Sequence, residues 1–280
     1  MNAFDTIKER ISVRSYREKS VEAELRKELE DYYLNLGSGP FNAAVRFDML
    51  DLEPLDKNEL RRFGTYGMIK GANLYILGAV KDEPGALEDL GYCMEKIILK
   101  ATSLGLGTCW LGGTFRRSAF ASKVNLAENE LLPAVTPVGY ALEEVSTADK
   151  ITRYTAGSNK RKPWDQLFSQ ADGNMPLPKE DAGQFADALE AVRMGPSASN
   201  RQPWRIVQEK EGIYHLFLQE NKLYNRLLGK IRIQNIDMGI AMCHFEMVAR
   251  EKGLKGNWVV DKYTGRDSGR KYIASWHQVD

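Results

Sequence analysis

The stretch Asp89–Trp110, DLGYCMEKIILKATSLGLGTCW, returns near the end of the chain as Asp237–Trp258, DMGIAMCHFEMVAREKGLKGNW. Asp, Gly, Met, Ala, Gly, Leu and Trp recur in register, so a single polypeptide is expected to hold two copies of one structural unit. Both copies read as helices. Leu90, Met94, Ile97, Ala101 and Leu104 repeat at helical spacing in the first, and Met238, Met242, Phe245 and Ala249 in the second. Gly105 and Gly253 stand where such helices end on a left-handed residue. Two helices with wide apolar surfaces suit a pseudo-twofold interface inside one chain.

Working outward, a β-rich run precedes each helix: Leu74–Leu77 in the first copy and Tyr214–Leu218 in the second. Before each run lies another amphipathic pattern. Leu25, Leu29, Tyr33 and Leu36, with Ser20 as N-cap, break at Gly37-Ser38-Gly39-Pro40, while Phe185, Leu189 and Val192 break at Gly195-Pro196. Phe4, Ile7 and Ile11 mark a short opening helix. Glu209–Gly212 reads as a hairpin turn and Thr264–Arg270 as a loop. The Gly, Asn and two Pro of Ser169–Pro178 interrupt every period, which makes 169–178 the expected linker between a first half, 1–168, and a shortened second half, 176–280. The class expected is α+β.

With 280 residues, 43% of them hydrophobic, the chain can bury an ordinary core. Lys+Arg 39 against Asp+Glu 38 leaves a net charge of +1, so no global field favours nucleic acid or an anionic membrane, and neither is expected as a partner. The opening MNAFDTIKERISVRSY carries charges where a secretory leader needs an apolar run, and no segment is long and apolar enough to span a bilayer; a cytoplasmic location is expected. Cys93, Cys109 and Cys243 form no CxxC pair and are expected as buried free thiols. His215, His244 and His277 show no metal-ligand spacing, so no metal site is expected.

The copies differ where chemistry would lie. Only the first carries Arg10-Ile11-Ser12-Val13-Arg14, and only the second Pro196-Ser197-Ala198-Ser199-Asn200-Arg201-Gln202-Pro203-Trp204. On an extended segment Arg10, Ser12 and Arg14 would point to one side, two permanent cations flanking a hydroxyl, which suits a phosphate. On a helix Arg10 and Arg14 would align without Ser12, as part of a solvated face. The Pro/Ser/Asn run offers small residues and short hydrogen-bonding arms to a flat ligand, and equally suits a plain helix-to-strand turn. If the halves pack as a pseudo-dimer, the two motifs can build one site.

Together these segments resemble the nitroreductase family of flavin enzymes, with its R-x-S-x-R and P-S-x-x-N-x-Q-P-W runs. Gly105-Leu106-Gly107-Thr108-Cys109-Trp110, Pro137-Val138-Gly139-Tyr140 and Arg161-Lys162-Pro163 follow in the family's order. The resemblance implies an α+β nitroreductase-like chain in which two tandem halves stand in for the usual homodimer, a monomer acting as a pseudo-dimer. It further implies FMN, with Arg10, Ser12 and Arg161 on its phosphate and Lys160 as an additional contact. Arg14 would lie toward the ribityl chain or pyrimidine edge, and Ser197, Ser199 and Asn200 would approach from the other half. Leu111, Gly112, Gly113 and Thr114 would lie near the reactive nitrogen. The implied activity moves reducing equivalents from NADH or NADPH through FMN to a nitroaromatic, quinone or similar small acceptor by a ping-pong mechanism. The chemistry would be borne by the flavin rather than by a catalytic side chain.

Two departures qualify the match. Pro40-Phe41-Asn42-Ala43-Ala44 lacks the Ser/Asn/Gln/Trp run, and the second half lacks an R-x-S-x-R, so a symmetric second flavin site is not expected. Where relatives place Asn and Lys on the pyrimidine, this chain has Gly64-Thr65-Tyr66-Gly67 and Lys70. Two other readings stay open. One is a degenerate, non-catalytic flavin- or ligand-binding scaffold, and the other is a different flavin reaction on the same fold, such as reductive dehalogenation or oxidation of a peptide ring.

Overall fold

A computed structural model describes residues 2–53, 63–142, 160–171, 175–221, 231–261 and 269–279. Contacts gather the chain into two units, Glu9–Thr155 and Met1–Lys8 with Ala156–Asp280. Among the described residues the α-helices are α1 (Ala3–Glu9), α2 (Ala23–Leu34), α3 (Ala86–Ser103), α4 (Arg117–Lys123), α5 (Ala186–Met194) and α6 (Ile233–Glu251).

In the first unit, β1 (Val45–Asp51), β2 (Leu74–Lys81), β3 (Gly107–Thr108) and β4 (Glu130–Gly139) form one antiparallel sheet in the order β1-β2-β4-β3. Strand β2 is buried along all but its last residue because both faces of the sheet are covered. Tyr75 and Leu77 join Phe63, Phe120 and Val135 on one side, and Leu74 and Ile76 join Leu29, Ile97 and Val138 on the other. Helix α3 lies close to the sheet at Gly78, where a Cβ would fall 2.4 Å from Leu90 Cδ1.

In the second unit, β5 (Phe168–Gln170), β6 (Trp204–Lys210), β7 (Ile213–Leu218), β8 (Gly256–Val259) and β9 (Lys271–Gln278) run in the order β5-β6-β7-β9-β8. Only β5 is parallel to its neighbour. Without β5, the order β6-β7-β9-β8 repeats β1-β2-β4-β3, with the long helix following the second strand both times. The chain is thus a tandem of two related α+β halves.

The two long helices also end alike. Gly105 (φ 75°) and Gly253 (φ 79°) are left-handed. Leu106 N and Leu254 N reach back to the carbonyls of Ala101 and Ala249, each at 2.9 Å, while Gly105 N and Gly253 N bond Thr102 O and Arg250 O. This double bond pattern satisfies carbonyls that a helix end otherwise leaves orphaned, and only a residue free of Cβ takes the required backbone without cost.

Helix α1 is fastened at its start. Asn2 Oδ1 accepts from Asp5 N, and the Glu251 carboxylate of α6 accepts from Ala3 N (2.8 Å) and Phe4 N (3.1 Å), placing negative charge at the positive end of the helix. Ser20 does not cap α2. Its hydroxyl donates to Glu53, and the helix begins after Glu22.

Other expectations fare unevenly. Gly212 turns the β6–β7 hairpin with φ 82°. Strands β1, β3, β4, β5, β8 and β9 were not read as strands from the sequence. Ser169 and Gln170 lie in β5, which Pro176 and Leu177 rejoin through a Ser169–Pro176 bridge and a Leu177 N to Phe168 O bond, while 172–174 fall outside the described residues. So do 264–268 of the Thr264–Arg270 loop. The three cysteines are free and buried. No described helix is long and apolar enough to cross a membrane, and no metal-binding cluster occurs among the described residues.

Phe245 anchors the second unit, fully buried with its ring 5.3 to 5.8 Å from those of Phe185, Tyr214, Trp258 and Trp276. Phe245→Ala is expected to lower the unfolding free energy by about 3–5 kcal/mol, measured by urea denaturation. A loss below about 1 kcal/mol would contradict this packing.

Candidate functional site

The segment joining α5 to β6 holds the Pro196–Trp204 run in a strained form. Ser199 (φ 49°), Asn200 (φ 51°) and Gln202 (φ 47°) all adopt the left-handed conformation that side chains disfavour. Such a turn persists only if its surroundings hold it, and Gln202, 2% exposed, supplies most of the grip. Its backbone N donates to Ser197 Oγ (2.9 Å), and its Oε1 accepts from Lys162 N (2.8 Å). Its Nε2 donates to Asn200 O (3.2 Å) and Asn200 Oδ1 (3.1 Å). Ser197 therefore turns its hydroxyl inward to the backbone of its own loop.

Asn200 completes the link to the preceding basic segment. Its Oδ1 accepts from Arg161 Nη1 (2.5 Å) and its Nδ2 donates to Lys160 O (2.8 Å). The structure thus brings Lys160, Arg161, Ser197, Ser199 and Asn200 into one loop cluster within the second unit. Two cations sit beside them, Lys162, quoted in the Arg161-Lys162-Pro163 run but given no contact, and Arg205, which the sequence reading did not name. Lys162 Nζ and Arg205 Nη1 both donate to the carbonyl of Gln202, at 3.2 and 3.1 Å. Burial, with Arg205 and Arg201 nearby, pushes the Lys162 ammonium down to about 8. Burial, with Arg270 adding to it, pushes Arg205 down to about 10. Cations crowded together in this way favour an anionic ligand. The signal available in the sequence was the basic run Lys160-Arg161-Lys162 facing Arg201 and Arg205.

The Arg10–Arg14 segment, in the first unit, is extended rather than helical, which decides between the two alternatives. Val13 N donates to Thr108 O (2.8 Å), Lys70 N to Arg14 O (2.8 Å) and Tyr16 N to Lys70 O (2.9 Å), with a Ser12–Thr108 bridge. Gly71, at φ 77°, permits this approach, since a Cβ there would meet Tyr16 O at 2.5 Å. Lys70 thus serves the segment through its backbone. Arg10 is 8% exposed, with Nε 3.7 Å from Glu95 Oε1, and Glu95 also accepts from Trp110 Nε1 at 2.6 Å. Arg14 is half-buried, and its buried Nε and Nη1 have no hydrogen-bond partner among the described residues. Buried donors left unsatisfied are costly, and an acceptor group from a ligand would answer them.

In the same unit Leu111 is buried and exchanges backbone bonds with Val135, each 3.0 Å. Gly112 O accepts from Arg117 Nη2 (2.8 Å), and Gly113 and Thr114 are exposed. The first copy's counterpart of the Pro/Ser run is closed by Asp89, whose carboxylate accepts from Phe41 N (2.9 Å) and Ala43 N (2.8 Å). Burial pushes Asp89 up to about 6 despite those two bonds. Asp237 does the same for the second copy, accepting from Ala198 N (2.9 Å), and its burial raises it well above the usual carboxylate range.

Both donor sets suit a phosphate-bearing, hydrogen-bond-accepting group: orphaned nitrogens on Arg14, and crowded cations around Gln202.

Residues 2–249 match the family model described as "Putative TM nitroreductase". A protein of Methanothermobacter thermautotrophicus named "Putative NADH dehydrogenase/NAD(P)H nitroreductase" is 28% identical over 159 residues, which make up 53% of this chain and 82% of that relative. A crystal structure from Thermotoga maritima, titled as a putative nitroreductase, is similar with a TM-score of 0.61 and 20% identity, over 99% of this chain and 93% of that one. A nitroreductase family protein from Clostridium difficile is similar over 59% of this chain and 96% of its own, with a TM-score of 0.46 and 21% identity.

Gln202→Ala removes the side-chain bonds from Gln202 to Lys162 N and to Asn200 that help hold the strained turn. It is expected to cost about 1–3 kcal/mol in urea unfolding, and an unchanged midpoint would show that the turn is held elsewhere.

Proposed function

The chain belongs to this nitroreductase family and is an oxidoreductase, and from that premise we propose that it works with FMN, taking reducing equivalents from NADH or NADPH and passing them to a small nitroaromatic, quinone or similar acceptor. The observation that carries the reading is the half-buried Arg14 guanidinium, whose buried Nε and Nη1 have no hydrogen-bond partner among the described residues. Bound FMN would supply the redox chemistry itself, by reversible two-electron transfer at its ring.

The protein's part is to hold, orient and bias that ring. Arg10 and Ser12 from one donor set, with Arg161 and Lys160 from the other, would bind the phosphate, where planar guanidinium forks make paired, charge-assisted bonds. Arg14 would face the ribityl chain or the pyrimidine edge, its fixed charge favouring negative charge that develops beside it. Ser199 and Asn200 sit in a left-handed turn held in part by Gln202, and the Asn200 amide, bonded to Arg161 Nη1 and Lys160 O, would help preorganise that basic segment. The Ser197 hydroxyl is engaged with Gln202 N and contributes by holding the turn. The exposed Gly113 and Thr114, with Gly112 and Leu111 behind them, would leave room for nicotinamide and acceptor to enter in turn. This arrangement calls for no protein nucleophile and no dedicated general acid.

The direct test is an absorbance spectrum of the protein with added FMN, followed by anaerobic NADH or NADPH. Bleaching of bound flavin is expected. Flavin that binds and stays oxidised would favour the non-catalytic scaffold, and absence of binding would remove the cofactor assignment. Arg10→Ala is expected to weaken FMN binding about ten- to hundredfold, the loss of one bond to a charged group, read by fluorescence titration. Unchanged affinity would contradict its phosphate role. FMN affinity is further expected to fall as pH rises through about 8. Lys162 sheds its proton there in the free protein, and a bound dianion draws it back. Lys162→Arg should flatten this dependence, and an identical profile in the variant would show that Lys162 takes no part.

A further inference from the structure

Glu95 is fully buried on α3, and its two oxygens face different groups: Oε1 lies 3.7 Å from Arg10 Nε, and Oε2 accepts from Trp110 Nε1 at 2.6 Å. A buried carboxylate beside a buried guanidinium is sustained only as a pair, because removing either leaves an uncompensated charge. The repeat shows what happens where the arginine is missing. In register, Glu95 corresponds to Cys243 and Trp110 to Trp258, and the second copy has no R-x-S-x-R. There Trp258 Nε1 donates to the Met242 carbonyl at 3.3 Å instead. The tryptophan is kept in both copies, while acid and arginine are absent together from one.

We propose that Glu95 is a positioning residue for the cofactor's phosphate: it balances the Arg10 charge from the Nε side across 3.7 Å, an ion pair without a hydrogen bond, while Trp110 fixes Glu95, so that the guanidinium is drawn toward one orientation before it meets the anion. The inference rests on the FMN reading. It assigns to one buried acid the reason why only the first copy can keep an anion-binding arginine at this place.

The test compares Glu95→Gln with the wild type for binding of FMN and of riboflavin, which lacks the phosphate, by fluorescence titration. FMN affinity is expected to fall tenfold or more while riboflavin affinity stays within about twofold, and Glu95→Asp is expected to restore part of the FMN affinity. Equal losses for both flavins would reduce Glu95 to a general structural role, and no loss for either would overturn the proposal. Thermal melts of Glu95→Gln, Arg10→Met and the double variant test the pair without any flavin. The double variant is expected to melt at or above Glu95→Gln alone, since removing Arg10 relieves its unpaired charge. Additive losses would show that the two groups are uncoupled. A wild-type protein that binds neither flavin while the melts show coupling would sink the functional reading and the phosphate role, leaving only the pair.

Discussion

A buried carboxylate at the head of a long helix closes each copy of the repeat. Asp89 gathers the backbone N–H groups of Phe41 and Ala43, and Asp237 gathers that of Ala198. Helix α3 or α6 is thereby tied to the loop that leaves the preceding helix, and the strands follow in one order, β1-β2-β4-β3 and β6-β7-β9-β8. Burial raises both acids, so each folded unit holds a proton more tightly than the unfolded chain does. For Asp89 the stabilisation from that proton is complete below the unfolded value of 3.8 and is lost as pH climbs through about 6. The fold tolerates this because the bonds to backbone N–H fix a loop that would otherwise leave buried donors unpaired.

What the two copies do with that frame differs. Around Asp89 the loop is plain, and Gly39 approaches so closely that a Cβ would sit 2.4 Å from Asp89 Oδ1. Around Asp237 the loop carries three left-handed side-chain residues held by Gln202, with Arg161 and Lys162 drawn in beside them. The first copy has its own specialisation, an extended arginine segment zipped to Thr108 and Lys70 and backed by Glu95. Duplication has left a shared scaffold and divided the polar chemistry between the copies.

Much of this was legible in the sequence because it is periodic. The two long helices, their glycine ends, β2, β7 and the Gly212 turn all follow from apolar spacing and left-handed glycines. Strand β1 escaped because it is half-buried along its whole length and mixes Arg46, Asp48 and Asp51 with its apolar residues. Strand β9 follows a polar stretch of sequence and fills its centre with Ala274 and Ser275, small residues with little β signal. Ser20 looked like a cap from its neighbours alone, yet Glu53, distant in sequence, takes its hydroxyl.

The polar residues of the candidate site divide the same way. Arg10, Ser12, Arg14, Arg161 and Asn200 stand in recognisable runs, and the structure places Arg161 against Asn200. Lys162 and Gln202 stand in quoted runs, but their roles, like that of Glu95, come from tertiary contacts that the local pattern does not specify. Glu95 lies among apolar helix positions, with Cys243 at the matching place in the second copy.

We propose that the tandem keeps one flavin place, because the arginine segment and the Ser/Asn turn each occur once in the sequence. The most direct measurement is the FMN content of protein saturated with cofactor, desalted and quantified against the polypeptide. One FMN per chain is the predicted result; two per chain, or none, would contradict the account.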